Sequence, residues 1–126
     1  GRAMAEHERF EALLARQPVV RDRLRDFERA VTSGPLDARL LTLCRATVAT
    51  LLRDTTVPPI ESRDLDERER ACVAFTEMYV IDAHAVTDDM CARVVAHLGE
   101  AGATALTLAI ALFDATSRSR VALGAA

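Results

Sequence analysis

The sequence contains no lysine, no asparagine and no tryptophan. Without lysine the protein cannot form a Schiff base, which excludes lysine-dependent pyridoxal chemistry. All 16 basic side chains are arginines, and the absence of lysine and asparagine fits a bias toward GC-rich codons. The formal net charge is −3, with arginines and acids interspersed along the chain. That pattern gives no broad basic surface, so we predict no nucleic-acid partner.

Cysteine is scarce as well. The three cysteines, Cys44, Cys72 and Cys91, are far apart in sequence and form no CxxC pair. The sequence shows no signal peptide, so we expect no disulfide framework and a location in the reducing cytoplasm. The longest uncharged run, residues 101–113, is too short to span a bilayer. We therefore predict a soluble protein without a membrane partner.

Aromatic residues make up only 4% of the sequence, whereas hydrophobic residues make up 50%. A core of Leu, Val, Ile and Ala suits packed helices better than a β-sandwich. No alternating strand pattern, internal repeat or low-complexity segment is visible. We predict an all-α fold, a compact bundle of about six helices in one domain over residues 4–126. Gly1-Arg2-Ala3 resembles a remnant of tag removal and is left out of the fold prediction.

Proline and glycine mark several helix boundaries. Pro18 suits the first turn of the second helix, and Ser33-Gly34-Pro35 ends that helix. Pro58-Pro59 prevents the third helix from continuing, and Gly99 follows the end of the fifth. The predicted helices cover residues 5–16, 18–32, 36–53, 64–83, 87–98 and 101–123. The apolar positions expected to point inward from the first two helices are Phe10, Leu13, Leu14, Val20, Leu24, Phe27 and Val31.

The polar residues of the stretch 74–84 interrupt an otherwise apolar, helix-forming run. Glu77 shares a helical face with Ala74, Met78 and Ile81, and we expect that face to point to the core. A carboxylate on a core-facing stripe must find a partner or shift its pKa. In one interpretation Glu77 is a general acid or base whose pKa is raised by apolar surroundings. In the other it forms a structural ion pair with an arginine.

Arg45 lies in the middle of an apolar helix, where a guanidinium needs an acidic partner or an anionic ligand. Glu77 or the carboxylate of a substrate would serve as that partner. Arg118 is a second arginine with which Glu77 could pair. Tyr79, the only tyrosine, is either a donor to a substrate oxygen or a buried aromatic with a satisfied hydroxyl.

His84 follows Asp82 near a predicted helix end. It is either a proton shuttle or metal ligand, or a residue that caps the helix. A metal site assembled from Asp82, His84, Asp88 and Cys91 would match no standard ligand spacing. We therefore predict no metal site and no other cofactor.

The stretch Leu65–Glu77 is similar to a segment of the carboxymuconolactone decarboxylase / alkylhydroperoxidase D-like superfamily, where it opens the helix after the catalytic one. The ending Ala109–Arg118 resembles the family's aliphatic run followed by Asn-Arg. The helix Leu36–Leu51 resembles the helix that leads into the family's catalytic motif. The resemblance covers roughly residues 36–124. It implies an alkylhydroperoxidase D-like helical fold and a homo-oligomer, either a dimer, a trimer or a hexamer.

The redox motif of that family is substituted in this sequence. Its peroxidatic members carry a Glu early in the helix, a CxxC at its end and a His shortly afterwards. The matching positions are Thr42, Asp54, Val57 and Glu61. Peroxidase chemistry needs a low-pKa thiolate with a resolving thiol beside it. The resemblance therefore implies a divergent member that is not a thiol peroxidase.

Three functions are consistent with these observations. The first is a cofactor-independent lyase or isomerase that acts by acid–base chemistry on a small organic acid or ring intermediate in a specialised biosynthetic or degradative pathway. The second is a non-catalytic module that binds a small apolar or acidic ligand. The third is an oligomeric accessory protein that assists a partner enzyme. For the first, the predicted catalytic residues are Glu77, His84 and Arg45, and the predicted substrate-binding residues are Tyr79, Asp82 and Arg118.

Overall fold

A computed structural model describes residues 2–60 and 64–125, without the side chains of residues 2, 3 and 125. Five α-helices occupy most of these residues, and a short 3₁₀ turn, Ala83–Ala85, lies between the last two. The helices are α1 Arg2–Ala15, α2 Pro18–Thr32, α3 Ala38–Leu52, α4 Glu67–Ile81 and α5 Asp88–Ala125. The described residues contain no strand, which confirms the predicted all-α class. Of the residues named above, Gly1 and Glu61 lie outside this description.

The predicted count of about six helices is not confirmed. The segments predicted on either side of Gly99 are two arms of one element, α5, which is 38 residues long. Gly99 marks the boundary between the arms, because its φ of 73° and ψ of 173° are not helical. A side chain at this position would be strained, since residues other than glycine rarely adopt such a φ. The glycine thus allows α5 to change direction without a loop.

Side-chain caps fix where the central helices begin. Asp37 precedes α3, and its carboxylate accepts a hydrogen bond from the backbone N–H of Leu40 at 2.8 Å. Asp66 and Glu69 form a reciprocal capping box at the start of α4. Each cap satisfies backbone N–H groups that have no partner within the helix. Arg53 ends α3 in the left-handed conformation, with φ of 60°.

The core lies where α3, α4 and α5 pack together, and α1 packs along α5. Its fully buried members include Leu40 and Val48 of α3 and Leu106 and Ile110 of α5. On α4 the buried residues are Cys72, Phe75 and Thr76 at the core and Glu69 in the first turn. Burial of these aliphatic and aromatic groups is the main stabilising contribution in a bundle with so few aromatic residues.

The predicted core-facing position of Glu77 on α4 is wrong, although Cys72, Phe75, Tyr79 and Val80 do pack at the core as predicted. Ala74, Glu77 and Ile81 are exposed, Ile81 by 67%, and only Met78 of that face is partly buried. The apolar side chains of α4 are spread around the helix axis, so sequence periodicity does not select one face. Glu77 is therefore at the surface and not on a core-facing stripe.

The outer helices also differ from the prediction. On α1 the buried apolar residues are Phe10 and Leu14, whereas Leu13 is 51% exposed. No residue of α2 is buried, although its sequence is strongly amphipathic. Val20 and Phe27, both expected to point inward, are 56% and 38% exposed. Because α2 lies only loosely against the rest of the bundle, it leaves space beneath it.

The segment Asp88–Gly124 of α5 is long enough and apolar enough to cross a membrane by length and composition, with a mean hydropathy of 1.5. Both this value and the buried share, only 28%, belong to the most apolar 18-residue stretch of the segment. The core helix of a soluble protein can meet the same criterion, so this is weak evidence about location. The predicted cytoplasmic location stays a prediction.

A buried ion pair connects the loop after α3 to the C-terminal arm of α5. The side chain of Asp54 is 0% exposed and that of Arg120 is 9% exposed. Oδ2 of Asp54 accepts hydrogen bonds from Ser117 Oγ at 2.7 Å and from Arg120 Nε at 3.1 Å. Its Oδ1 accepts from the backbone N–H of Thr56 at 3.0 Å and from Thr56 Oγ1 at 2.6 Å. Both carboxylate oxygens are thus satisfied, as a buried charge requires.

These contacts determine the protonation of Asp54. Burial alone raises the pKa of the Asp54 carboxyl, but the hydrogen bonds from Thr56 and Ser117 and the charge of Arg120 outweigh it. The net result is a pKa below the ordinary value of an aspartate. Asp54 therefore stabilises the fold above the pKa of the unfolded chain, and this contribution is lost as the pH falls through the folded pKa.

We expect Asp54→Asn to lower the free energy of unfolding by about 3–5 kcal/mol near neutral pH, because the buried charge of Arg120 loses its partner. The difference from wild type should shrink as the pH falls below about 4, because Asp54 then becomes protonated in the unfolded chain and, at still lower pH, in the native protein. Urea unfolding followed by circular dichroism over this pH range measures both effects.

The matched control is Asp114→Asn, which removes the acidic partner of Arg118 at a more exposed pair. Its cost should stay below about 1 kcal/mol. Equal costs for the two variants would contradict the importance assigned to the buried pair.

Candidate functional site

A cavity of 350 Å³ lies beneath α2, between α1, α3 and the C-terminal arm of α5. We call it the arginine cavity, because Arg25, Arg45 and Arg120 all line it. Its apolar wall comes from four elements: Phe10, Val31, Leu41, Leu112 and Phe113. Such a mixture of apolar surface and a few charged groups is typical of small-molecule sites.

Two of the three arginines already have acidic partners. Arg25 forms ion pairs with Glu11 at 2.6 Å and with Glu28 at 2.9 Å. The hydrogen bond to Glu11 is the largest cause of the raised pKa of Arg25. Arg120 is held by Asp54 on the other side of the cavity wall. These two guanidinium groups are therefore fixed in place and largely neutralised.

Arg45 differs from the other two. It extends from α3 at the exposed edge of the cavity. Among the residues that the structure describes, none forms a hydrogen bond or ion pair with its guanidinium. Its five N–H donors are available to a ligand, and their fork geometry matches a carboxylate. The acidic partner predicted from the sequence is not found among the described residues, so the guanidinium of Arg45 is open to solvent and to an anionic ligand.

Glu77 lines a second, smaller space of 220 Å³ between α3 and α4. We call this space the Glu77 groove; its apolar lining is Leu43, Ala46, Leu51, Ile60, Leu65 and Val73. Glu77 forms no ion pair with Arg45 or Arg118, so the structural pairs suggested by the sequence are not formed. Arg118 instead pairs with Asp114 at 2.9 Å, one helical turn away.

The structure does not bring the three predicted catalytic residues together. Arg45 and the groove-lining Thr47 are two positions apart on α3, which places them on nearly opposite sides of the helix. Glu77 therefore lies across α3 from Arg45. His84 is exposed in the 3₁₀ turn and lines neither the arginine cavity nor the Glu77 groove.

The predicted substrate-binding residues have local structural contacts. Asp82 Oδ1 accepts a hydrogen bond from the backbone N–H of His84 at 3.1 Å, which caps the 3₁₀ turn. Tyr79 is partly buried, with its ring centroid 5.8 Å from that of Phe75. Arg118 is at the surface in its pair with Asp114. None of the three predicted residues lines the arginine cavity.

Sequence reasoning missed Arg120 and chose Arg118 in its place. A usable signal was present, because Phe113, Ser117 and Arg120 recur at helical spacing along one face of α5. Because Arg120 lies on the same face as Phe113 and Ser117, this spacing predicts that Arg120 is buried and that Arg118 is exposed. The acidic partner could not have been found in this way, since Asp54 is 66 positions away in the chain.

Two of the three thiols are shielded. Burial raises the pKa of Cys44 to about 12 and that of Cys72 to about 11. Cys91 is exposed on α5. The buried thiols are therefore protonated and unreactive at neutral pH, as expected for thiols on apolar faces.

The positions that match the family's redox motif have other roles. Thr42 lines the arginine cavity, Asp54 belongs to the buried ion pair and Val57 is buried. Among the described residues, no group of three or more His, Cys, Asp or Glu side chains is arranged to hold a metal ion. These observations leave the arginine cavity as the best candidate for a functional site.

Alkylation should distinguish the cysteines. Because the thiolate is the reactive form, iodoacetamide at about pH 8 is expected to modify Cys91 and spare Cys44 and Cys72 in the native protein. Intact mass spectrometry should show a single adduct per native chain and modification of all three cysteines after denaturation. Rapid native labelling of Cys44 would contradict the burial described above.

Glu77→Gln should change the free energy of unfolding by less than about 0.5 kcal/mol, because the carboxylate is exposed and has no described partner. Thermal unfolding followed by circular dichroism tests this expectation. A large loss of stability would mean that Glu77 takes part in a structural ion pair after all. Glu69→Gln is the contrasting variant, since Glu69 both caps α4 and pairs with Arg39.

Comparison with known proteins adds no family to this picture. No protein-family model matches the chain, and no curated protein or solved structure matches it either. The resemblance to the alkylhydroperoxidase D-like superfamily therefore stays a prediction from the residues quoted for it. The function has to be inferred from the geometry of the arginine cavity.

Proposed function

We propose that the protein binds a small, largely apolar ligand with one acidic group in the arginine cavity. The observation that carries this proposal is Arg45, the one arginine of the cavity without a described partner. A carboxylate placed against it would gain a charge-assisted, bidentate hydrogen bond. The rest of the ligand would lie against the apolar wall.

The size and composition of the cavity support a small molecule. Its volume of 350 Å³ lies at the lower end of the range typical of ligand sites. Leu41 and Leu112 supply buried aliphatic surface, which an apolar ligand body would cover. A ligand of this kind would also shield the loosely packed side of α2, where Val31 lines the cavity.

The acids of the cavity limit the charge of the ligand. Glu11 and Glu28 both line it, and both hold Arg25. These two carboxylates share a single cationic partner, Arg25. A second acidic group on the ligand would therefore lie close to excess negative charge. Like charges at short distance are unfavourable. We therefore propose a ligand with one acidic group.

An acid–base enzyme is a second proposal, supported by the unpaired carboxylate of Glu77 beside an apolar groove. In that proposal Glu77 acts without Arg45 or His84, because the three side chains do not converge within one chain. The variant Glu77→Gln distinguishes the two proposals. It should retain ligand binding in the arginine cavity, and it should lose turnover if the protein is an enzyme based on Glu77.

The scaffold itself is proposed to be a divergent alkylhydroperoxidase D-like one, on the strength of the residues quoted for the resemblance and of the all-helical fold. A homo-oligomer is part of the same proposal. The exposed side of α5 supports it, since Leu108 there is 52% exposed and Ala111 and Ala115 are exposed along the same face.

Arg45→Gln should weaken binding of 2-naphthoate roughly three- to tenfold, because the exposed guanidinium contributes a charge-assisted hydrogen bond. Binding of the neutral analogue 2-naphthalenemethanol should be unchanged. Isothermal titration calorimetry, or the shifts of leucine and valine methyl signals in NMR, measures both affinities.

The matched control is Arg93→Gln, which removes an exposed arginine of α5 that has no described partner and does not line the cavity. It should leave both affinities unchanged. If wild type binds the acid no better than the alcohol, or if Arg93→Gln has the same effect as Arg45→Gln, the proposed function is wrong.

A further inference from the structure

We infer that the acidic ligand of the arginine cavity is aromatic, with a planar ring system that lies against Phe10, Phe113 and the guanidinium of Arg120. This inference rests on the proposed function and specifies its ligand class. It depends on where the few aromatic side chains lie and on how Arg120 is held.

Two of the five aromatic side chains of the chain line this cavity. The chain has four phenylalanines and one tyrosine, and two of the phenylalanines, Phe10 and Phe113, line the arginine cavity. Phe75 and Tyr79 pack against each other at the core, and Phe27 is 38% exposed on α2. Phe10 comes from α1 and Phe113 from α5, so two separate elements bring rings to the same space. Aromatic rings favour other rings in stacked or edge-to-face arrangements over aliphatic groups of equal area.

Arg120 adds a third planar group to the wall. The centre of its guanidinium lies 5.7 Å from the centroid of the Phe10 ring. Asp54 holds Nε at 3.1 Å and lies 3.1 Å from the terminal nitrogen Nη2. Because Asp54 is itself anchored by Ser117 and Thr56, the guanidinium cannot rotate freely. Guanidinium planes stack on aromatic rings, and a fixed plane loses little entropy on doing so.

The arginines of the cavity therefore have different roles. Arg120 is neutralised by Asp54, so it acts as a flat surface more than as a binding site for an anion. Arg45 carries the unneutralised charge and takes the acidic group. A planar aromatic acid would contact both arginines, with its carboxylate against Arg45 at the edge of the cavity and its ring against Arg120 inside. A cavity of 350 Å³ has room for a compound of one or two fused rings.

The test compares two acids of equal charge and similar size, 2-naphthoate and its saturated counterpart decahydro-2-naphthoate. Wild type is expected to bind the aromatic acid about three- to tenfold more tightly, because the ring contacts add to simple burial. Phe113→Leu should lower this ratio, because one of the two rings that line the cavity is lost. Phe27→Leu, on the exposed side of α2, should leave the ratio unchanged.

A second variant tests Arg120 without removing the partner of Asp54. Arg120→Lys keeps the positive charge but loses the planar group, so it should lower the ratio while leaving the preference for acid over alcohol intact. If Arg120→Lys does not fold, as judged by circular dichroism, Phe113→Leu decides the question.

The outcomes separate the two levels of the proposal. Equal affinity of wild type for the two acids, with both preferred over 2-naphthalenemethanol, would overturn the aromatic inference and leave the proposed function standing. The inference would also be overturned if Phe113→Leu showed the same ratio of affinities for the two acids as wild type. Absence of any preference for acids would overturn the proposed function and the inference together.

Discussion

The ion pair between Asp54 and Arg120 links the features on which the arginine cavity depends. It ties the loop after α3 to the C-terminal arm of α5, and the Arg120 guanidinium lies over Phe10 of α1. Three elements that are distant in sequence therefore meet at one buried charge pair. Buried pairs contribute little net stability compared with apolar packing, but they permit few alternative arrangements of the groups around them. Here that constraint fixes one wall of the cavity.

The burial of Asp54 in this ion pair also bears on the predicted resemblance to the alkylhydroperoxidase D-like superfamily. The resemblance predicts that Asp54 occupies a position where the peroxidatic members carry a cysteine of the redox pair. In this chain the position holds a carboxylate that is fully buried and accepts hydrogen bonds from Thr56, Ser117 and Arg120. A side chain with four close donors is not available to a substrate.

Local signals in the sequence predicted the helices well, because the physics of helix ends is local. Pro18 begins α2 and Gly99 marks the change of direction in α5, as their backbone preferences require. Which face of a helix is buried depends on its neighbours. For α4 the apolar residues surround the axis, and the prediction placed Glu77 on the wrong side. The prediction of the site was incomplete for the same reason. Arg45 could be singled out as a charge on an apolar helix, but the role of Arg120 could not be predicted, because its contacts with Asp54 and Phe10 join distant parts of the chain.

The shallow packing of α2 bears on how a ligand would reach the cavity. This helix has no buried residue, and its described side-chain link to α1 is the ion pair between Arg25 and Glu11. A segment with so little buried surface opens at a small fraction of the free energy needed to unfold the whole domain. Because α2 forms one side of the cavity, its brief detachment exposes the interior while the packed helices α3, α4 and α5 stay intact. Exchange of a ligand with solvent would then be governed by the motion of one helix, independently of the stability of the core.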